Sequence, residues 1–157
     1  MSLDTVRAFF AEKAPDIPII EQAASTATVA EAAATLGVEP GRIAKTLSVR
    51  INDRVVLIVA RGDARLDNRK SKAAFGGRPR MLGADEVATL TGHPVGGVCP
   101  FGLANPLPIY CDLSLKDFDT IYPAAGSRTA SVRLSPDRLV ALTGAEWVDV
   151  CQPPAAL

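Results

Sequence analysis

Two glycine-rich segments and one lysine have residue types and spacing that could do chemistry. The segments are residues 92–102 (GHPVGGVCPFG) and 124–128 (AAGSR), and Lys45 lies upstream, where a strand-like run begins. Glycine lets the backbone turn through positive φ and lets a ligand contact bare peptide N–H groups. A lysine ammonium could neutralise a phosphate or stabilise the oxyanion that forms when an ester carbonyl is attacked. Together these residues predict a pocket for a small molecule or for the end of a nucleotide chain.

The position of Lys45 next to Thr46 limits what the two side chains can do together. Neighbours on a β-strand face opposite sides, so both are not expected to point straight into one pocket unless the strand twists or bulges. The plainer interpretation of Lys45 is a solvated lysine at a strand end. The plainer interpretation of Thr46 is an ordinary β-branched strand residue.

A cysteine and a histidine form a second possible chemical site. His93 is the single histidine of the chain, and Cys99 follows it in the same glycine-rich segment. A thiol hydrolase would need both side chains within hydrogen-bond reach and a lowered thiol pKa. The plainer interpretation is a loop histidine beside a small buried cysteine. The three cysteines and His93 could also supply the ligands of a zinc site, but no Cys-x-x-Cys spacing is present, so no metal or other cofactor is predicted.

Composition limits the class of protein. The 157 residues suit one domain, and with 48% hydrophobic but 5% aromatic residues the core is expected to be mostly aliphatic. A formal net charge of zero argues against tight, sequence-indifferent binding along a nucleic-acid backbone, although it leaves room for a local basic patch. No run of about eighteen apolar residues appears, so no membrane span is predicted. Three cysteines without framework spacing suit a reducing compartment, which predicts a cytoplasmic protein.

The clearest local structure is a β-hairpin. Residues 46–51 alternate apolar and polar side chains, residues 54–60 are almost continuously apolar, and Asn52 and Asp53 join them. The second strand is therefore expected to lie in the centre of a sheet.

The remaining elements follow from caps, stops and periodicity. A first helix is predicted from Ser2 to before Pro15, and a second from Thr26 or Thr28 to Leu36, with Gly37 as its stop. Three more helices are predicted over residues 67–75, 85–90 and 136–142. The last of these is capped by Ser135 and ends at Gly144. Further strands are predicted at residues 17–20, 107–112, 131–134 and 147–150, and the tail at Pro153 and Pro154 is expected to fray. Strands joined by both a hairpin and helices predict a mixed α/β (α+β) sheet.

Four short motifs, taken in order, resemble those of a known family. They are residues 43–47 (IAKTL), 62–67 (GDARLD), 91–100 (TGHPVGGVCP) and 122–126 (YPAAG). In this order and spacing the chain resembles the YbaK/ProX family of freestanding aminoacyl-tRNA deacylases. That family is related to the editing domain inserted in bacterial prolyl-tRNA synthetases. The resemblance runs from about residue 6 to residue 150.

The resemblance implies a fold and an activity. It implies that residues 1–157 form a single editing domain with a curved, mostly antiparallel, barrel-like mixed sheet and helices packed outside it. It implies a trans-editing hydrolase that cleaves the ester of a mischarged aminoacyl-tRNA at the terminal adenosine. The partners would be the 3′ acceptor end of aminoacyl-tRNA and an aminoacyl-tRNA synthetase, with no membrane. The amino acid would be small, such as serine, threonine, alanine or cysteine, on a non-cognate tRNA such as tRNA(Pro) or tRNA(Thr).

The resemblance also implies which residues act. Lys45 would be the essential catalytic lysine, and residues 96–100 would match the family's glycine-x-x-x-proline loop. The second glycine segment would form the opposite wall, where Arg128 could reach a phosphate or remain a surface side chain. The substrate-binding residues implied in this way are Thr46, Gly96, Gly97, Val98, Cys99, Pro100, Gly126, Ser127 and Arg128.

The second glycine segment departs from the pattern of the cysteine-clearing branch. There it resembles Ser-Gly-Gly-Lys-Arg-Gly-Leu-Asp, whereas residues 124–131 read AAGSRTAS, with alanine in place of the serine and Ser131 in place of the aspartate. This departure favours serine, threonine or alanine over cysteine as the amino acid removed. Two other functions stay open at this point. One is a non-catalytic module that binds tRNA or a synthetase, and the other is a thiol esterase that uses Cys99 and His93.

Overall fold

The computed structural model describes residues 2–153. Its α-helices and β-strands follow the chain in this order: α1 (Ser2–Lys13), β1 (Ile20–Glu21), α2 (Val29–Leu36), β2 (Ile43–Ile51), β3 (Arg54–Arg61), β4 (Arg65–Leu66), α3 (Asn68–Phe75), β5 (Arg80–Met81), α4 (Ala84–Thr91), β6 (Ile109–Asp112), β7 (Tyr122–Pro123), β8 (Ala130–Ser131), α5 (Pro136–Thr143), β9 (Glu146–Val148) and β10 (Cys151–Gln152). Short 3₁₀ turns precede β2 and follow β6.

The hairpin of β2 and β3 is confirmed. Their antiparallel ladder spans eight residue pairs, from Ala44 opposite Arg61 to Ile51 opposite Arg54. Asn52 begins the turn at a positive φ of 55°, a conformation that asparagine tolerates better than most residues. The apolar strand β3 is central, with β2 on one side and β6 on the other.

The sheet is mixed, as predicted for an α/β protein. Its main path runs β5–β2–β3–β6–β9, with β7 also beside β2. The pairs β2–β5 and β2–β3 are antiparallel, while β2–β7, β3–β6 and β6–β9 are parallel. Barrel closure is not found within residues 2–153, because no ladder there joins the edge strands β5 and β9. The short ladders β1–β8 and β4–β10 form separate two-stranded sheets instead.

Local capping chemistry explains where the helices begin and end. The side chains of Thr28, Asp67 and Ser135 each accept a hydrogen bond from a backbone N–H in the first turn of α2, α3 and α5. These bonds satisfy donors that have no partner inside the helix. The predicted stops at Gly37 and Gly144 are also confirmed, since each adopts a left-handed conformation at the end of its helix.

The four further predicted strands are all shorter than expected, and β6 begins only at Ile109 of the predicted residues 107–112. Strand β1 contains only Ile20 and Glu21, because Pro18 has no N–H to pair within residues 17–20. Strand β8 covers only Ala130 and Ser131, whereas the predicted strand covers residues 131–134. The predicted strand over residues 147–150 ends early, because the N–H of Val150 donates to the side chain of Asp112 (2.8 Å) rather than to a strand. The fraying expected at Pro153 and Pro154 stays a prediction, because Pro154 lies outside the described residues.

Buried clusters cover both faces of the sheet. One cluster includes Ala44 and Val59, and helix α1 packs into it through Val6 and Phe10. The other includes Val49, Ile51, Val56, Ile58 and Ala60 of the hairpin with Ala64, Val150 and Cys151. Side chains of β2 and β3 therefore alternate between two apolar layers, as expected for strands buried on both faces.

No helix among residues 2–153 is long and apolar enough to cross a membrane.

Candidate active site

Strand β2 changes partners along its length, and the change leaves a gap in the sheet. On the edge away from β3, Ile43 and Ala44 pair with β7, whereas Val49 and Arg50 pair with β5. Between these two ladders, no strand in residues 2–153 pairs with that edge of β2. A cavity of about 260 Å³ opens there.

The walls of the cavity come from segments far apart in the chain. Strand β2 forms one wall, and the residues that precede and begin α2 face it. Met81 and Leu82 close one end, while Tyr122 and Ala124 close the other. Gly96 and Val98 bring the first glycine segment to the rim. The structure therefore places the two glycine segments and the Lys45–Thr46 strand around one cavity.

The backbone of β2 contributes polar groups to this cavity. The N–H of Leu82 donates to the carbonyl of Ser48 (3.1 Å), so the peptide groups of Ser48 are directed toward the gap edge. In an antiparallel pair, residues alternate between facing their partner strand and facing away. The N–H and C=O of Thr46 are therefore directed toward the gap as well. They can bond a ligand there without breaking the β2–β3 ladder.

Two side-chain hydroxyls of β2 also border the cavity. Thr46 and Ser48 are two residues apart, on the same face of the strand, and both line the cavity. Both hydroxyl oxygens are buried, and neither has a hydrogen-bond partner among the described residues. A buried hydroxyl without a partner costs about 1–3 kcal/mol relative to a paired one. The cavity thus contains hydrogen-bonding capacity that the protein itself leaves unused.

Lys45 borders the same cavity, but its ammonium is held elsewhere. The Nζ of Lys45 donates a hydrogen bond to the carbonyl of Ala64. Ala64 and Cys151 belong to the buried cluster on the opposite face of the sheet from Ala44. Burial lowers the pKa of the Lys45 ammonium, and the nearby Cys151 and Asp63 partly offset that shift. Strand alternation thus separates the Lys45 ammonium from the hydroxyl of Thr46.

The first glycine segment forms the rim of the cavity through its backbone. Gly96 has a positive φ of 93°, and a Cβ there would lie 3.0 Å from Ala27 and 3.1 Å from Arg128. Val98 also lines the cavity. Cys99 and Pro100 are buried and do not line it. The predicted loop therefore contributes its first half to the site, while its second half anchors it in the core.

The second glycine segment supports the first more than it lines the cavity. The N–H of Gly126 donates to the carbonyl of Gly97 (3.0 Å), and Ser127 and Arg128 follow it. None of Gly97, Gly126, Ser127 and Arg128 lines the cavity. The side chain of Arg128 is exposed and donates to the carbonyl of Val95 (3.1 Å), which fixes it beside the rim.

His93 and Cys99 lie close together but are buried in the core. The Sγ of Cys99 is 3.5 Å from the Nε2 of His93, and that same nitrogen lies 2.7 Å from the carbonyl of Phe101. A carbonyl only accepts hydrogen bonds, so Nε2 carries the proton and cannot act as a base toward the thiol. Burial raises the pKa of the Cys99 thiol to about 12 and lowers the pKa of His93. This arrangement fits a structural histidine and disfavours a thiol esterase.

Residues 2–153 contain no group of three or more His, Cys, Asp or Glu side chains close enough together to hold a metal ion. The four side chains that could have formed a zinc site are therefore not gathered in one place.

Sequence reasoning did not assign several cavity residues to the site. Ser48 was read only as part of the strand alternation, and Thr28 only as a helix cap. Met81 has no role in the sequence prediction, and Tyr122 enters it only as the first residue of the 122–126 motif, although both line the cavity. The alternation of β2 was a usable signal for Ser48, because it places that residue on the same face as Thr46. Nothing local in the sequence indicates Met81, whereas the motif at residues 122–126 contains Tyr122.

Known proteins resemble this chain in sequence and in structure. A family model for the aminoacyl-tRNA editing domain matches residues 23–142. An uncharacterized protein of Bacillus subtilis (strain 168), YwhH, is 48% identical over 154 residues, 97% of this chain and 98% of its own length. EbsC of Enterococcus faecalis, described as a candidate Cys-tRNA(Pro)/Cys-tRNA(Cys) deacylase, is 31% identical over 129 residues, 80% of this chain and 76% of its own.

A solved structure agrees with these relatives. The crystal structure of a protein described as a candidate trans-editing enzyme for prolyl-tRNA synthetase superposes with a TM-score of 0.88 and 35% identity, covering 97% of this chain and 98% of the other. The fold and site define an aminoacyl-tRNA editing protein of mixed α/β architecture. The chain belongs to the aminoacyl-tRNA editing domain family, which confirms the resemblance stated above. Its class of activity is hydrolysis of aminoacyl-tRNA, and its partner is aminoacyl-tRNA.

Proposed function

We propose that this chain is a trans-editing deacylase that removes serine, threonine or alanine from a non-cognate tRNA such as tRNA(Pro) or tRNA(Thr). The observation that carries the proposal is the cavity at the β2 gap, about 260 Å³ in volume, with the unpaired hydroxyls of Thr46 and Ser48 in its wall. A cavity of this size and polarity suits a small amino acid attached to the end of a tRNA. We further propose that residues 1–157 act as one domain in the cytoplasm, where aminoacyl-tRNA is made and used.

The proposed reaction is ester hydrolysis without a protein nucleophile. A water molecule, or the neighbouring ribose hydroxyl of the terminal adenosine, attacks the ester carbonyl carbon. Charge develops on the carbonyl oxygen, and we expect backbone N–H groups near the gap, including that of Thr46, to stabilise it. The ester C–O bond then breaks, and the ribose oxygen takes a proton as it leaves. With water as the attacking group, that proton comes from the water and the free amino acid is released directly. With the ribose hydroxyl as the attacking group, the aminoacyl group first moves to the neighbouring ribose oxygen, and water then cleaves that ester.

Lys45 has a proposed role in binding and charge stabilisation. In the structure its ammonium donates to the Ala64 carbonyl, on the far side of β2 from Thr46. Its long, flexible side chain would exchange that carbonyl for an anionic group of the entering acceptor end. The lowered pKa of Lys45 supports this exchange, because it reflects an ammonium that burial leaves poorly solvated.

The test is deacylation of a panel of mischarged tRNAs by the wild type, Lys45→Ala and Lys45→Arg. We expect hydrolysis of seryl-, threonyl- or alanyl-tRNA(Pro) or tRNA(Thr), and no hydrolysis of cognate prolyl-tRNA(Pro). Loss of one hydrogen-bond donor to a developing oxyanion typically costs about 2.7–4 kcal/mol, so Lys45→Ala should lower kcat/KM roughly 100- to 1000-fold. Equal rates for wild type and Lys45→Ala would remove Lys45 from the mechanism. Hydrolysis of cysteinyl-tRNA(Pro) alone would overturn the proposed amino acids and place this chain with the activity named for EbsC.

A further inference from the structure

Ser48 is the most enclosed polar side chain in the cavity wall formed by β2. It is 4% exposed, and its hydroxyl oxygen has no hydrogen-bond partner among residues 2–153. Its backbone carbonyl is already occupied by the N–H of Leu82 (3.1 Å), so its main chain is fixed in the sheet. The position of the side chain is therefore rigid, while its hydroxyl remains free to bond whatever enters the cavity.

Apolar side chains contribute to the cavity lining together with Ser48. They include Leu82, whose N–H donates to the Ser48 carbonyl, and Val87, which is 6% exposed. Thr46, two residues earlier on the same face, presents a second unpaired hydroxyl. Residues two apart on a strand are about 6.6 Å apart along the backbone, so the two hydroxyls offer separate hydrogen-bonding positions along one wall of the cavity.

We propose that Ser48 is a specificity-determining residue that hydrogen-bonds a hydroxyl on the amino-acid side chain of the bound aminoacyl-tRNA. This inference rests on the proposed function, and it narrows the substrate to esters of hydroxyl-bearing amino acids, seryl and threonyl, in preference to alanyl and cysteinyl. The side chain is the small part of the substrate that can reach a hydroxyl so enclosed. The adenosine and the phosphates are too large to reach that hydroxyl.

Hydrogen-bond chemistry sets the expected order of substrates. A hydroxyl both donates and accepts, so seryl and threonyl side chains can pair with Ser48 fully. A thiol is a weak donor and a weak acceptor, which makes cysteine a poorer partner of nearly the same shape. The alanyl side chain has no polar atom and leaves the Ser48 hydroxyl unpaired. Sites built to bond a substrate hydroxyl discriminate strongly against analogues that lack it.

The test compares Ser48→Ala with a matched control, Ser71→Ala. Ser71 is also a buried serine whose hydroxyl has no partner in the described part of the chain, but it lies in α3 and does not line the cavity. The measured quantity is the ratio of kcat/KM for seryl-tRNA to kcat/KM for alanyl-tRNA, on the same tRNA. We expect wild type and Ser71→Ala to share one ratio, and Ser48→Ala to lower it about tenfold, the size expected for one lost hydrogen bond to substrate.

Circular dichroism and urea unfolding establish independently of activity that Ser48→Ala is folded. Binding of non-hydrolysable seryl- and alanyl-adenosine amides, measured by calorimetry, should show the same selective loss. An unchanged ratio in Ser48→Ala would overturn the inference while leaving the proposed function intact. If the wild type hydrolyses none of the esters in the panel, the proposed function itself fails, which is a distinct result.

Discussion

The N–H of Gly126 donates a hydrogen bond to the carbonyl of Gly97 across a distance of 3.0 Å. This bond joins two glycine segments that are separated in the chain by β6 and β7. The backbones approach so closely that a Cβ at Gly97 would lie 2.7 Å from the amide nitrogen of Ser127. Glycine is required at position 97 because the neighbouring atoms are backbone, which cannot move aside as a flexible side chain can.

Substitution of Gly97 should therefore damage both stability and activity. We expect Gly97→Ala to lower the free energy of unfolding by about 1–3 kcal/mol, the usual cost of overpacking, and to displace the Gly96 rim. Urea unfolding followed by circular dichroism, together with the deacylation assay, measures both effects. The matched control is Gly83→Ala, where a Cβ would meet nothing within 4 Å and φ is an ordinary −71°. Equal stability of the two variants would contradict this account of the segment contact.

Thr46 should show opposite effects on activity and on stability. Its hydroxyl has no hydrogen-bond partner within residues 2–153, so Thr46→Val removes an unpaired polar group at almost constant volume. We expect the free energy of unfolding to stay equal or rise by up to about 1 kcal/mol, while kcat/KM falls roughly tenfold. The measurements are urea unfolding and seryl-tRNA deacylation.

Thr91→Val provides the control for Thr46→Val. The hydroxyl of Thr91 donates to the carbonyl of Val87 (2.6 Å) and accepts from the N–H of His93 (3.0 Å). Because this substitution leaves buried partners unpaired, it should lower the free energy of unfolding by about 1–3 kcal/mol. A loss of stability in Thr46→Val as large as that in Thr91→Val would show that the Thr46 hydroxyl is structurally engaged.

Cys99 should be dispensable for deacylation. Its thiol is fully buried, with a pKa raised to about 12 by that burial, so almost no thiolate exists near pH 7. We expect Cys99→Ala to keep deacylation within about threefold of wild type, with a stability loss of about 1–2 kcal/mol from the lost packing. Cys111→Ala, another buried thiol with a pKa of about 12, is the control. Deacylation abolished in Cys99→Ala but retained in Cys111→Ala would restore the thiol esterase mechanism.

His93 should make the stability of the protein depend on pH as the pH falls below about 6.5. Burial lowers the pKa of His93 below its ordinary value of 6.5, so the unfolded chain binds the proton more readily than the folded one. The stability contributed by the neutral ring is therefore present above pH 6.5 and is lost as the pH falls. Because His93 is the single histidine, the free energy of unfolding of His93→Gln should vary less over this range. Equal slopes in urea titrations of the two proteins would contradict a buried neutral His93.

Local structure was predictable where the deciding interactions are local. Thr28 and Ser135 cap the helices that follow them, because a hydroxyl and an N–H three residues later meet whatever the rest of the chain does. The β2–β3 hairpin followed from alternation and a two-residue turn. The strand ends were less predictable. The strand predicted over residues 147–150 ends early because the N–H of Val150 donates to the side chain of Asp112, which is distant in sequence.

The candidate site divides in the same way. The sequence alone determined that a lysine, a threonine and two glycine segments occur in an order typical of editing domains, and that Lys45 and Thr46 must face opposite sides of one strand. Only the tertiary structure decided which of the two faces meets the cavity. The gap in β2 pairing exists because β7 and β5 stop short of each other, and both strands come from distant parts of the chain. As a result of that pairing, Thr46 and Ser48 line the cavity, while the Lys45 ammonium donates a hydrogen bond to the carbonyl of Ala64. Strand alternation is a property of the chain, whereas the partner of each strand edge depends on long-range packing.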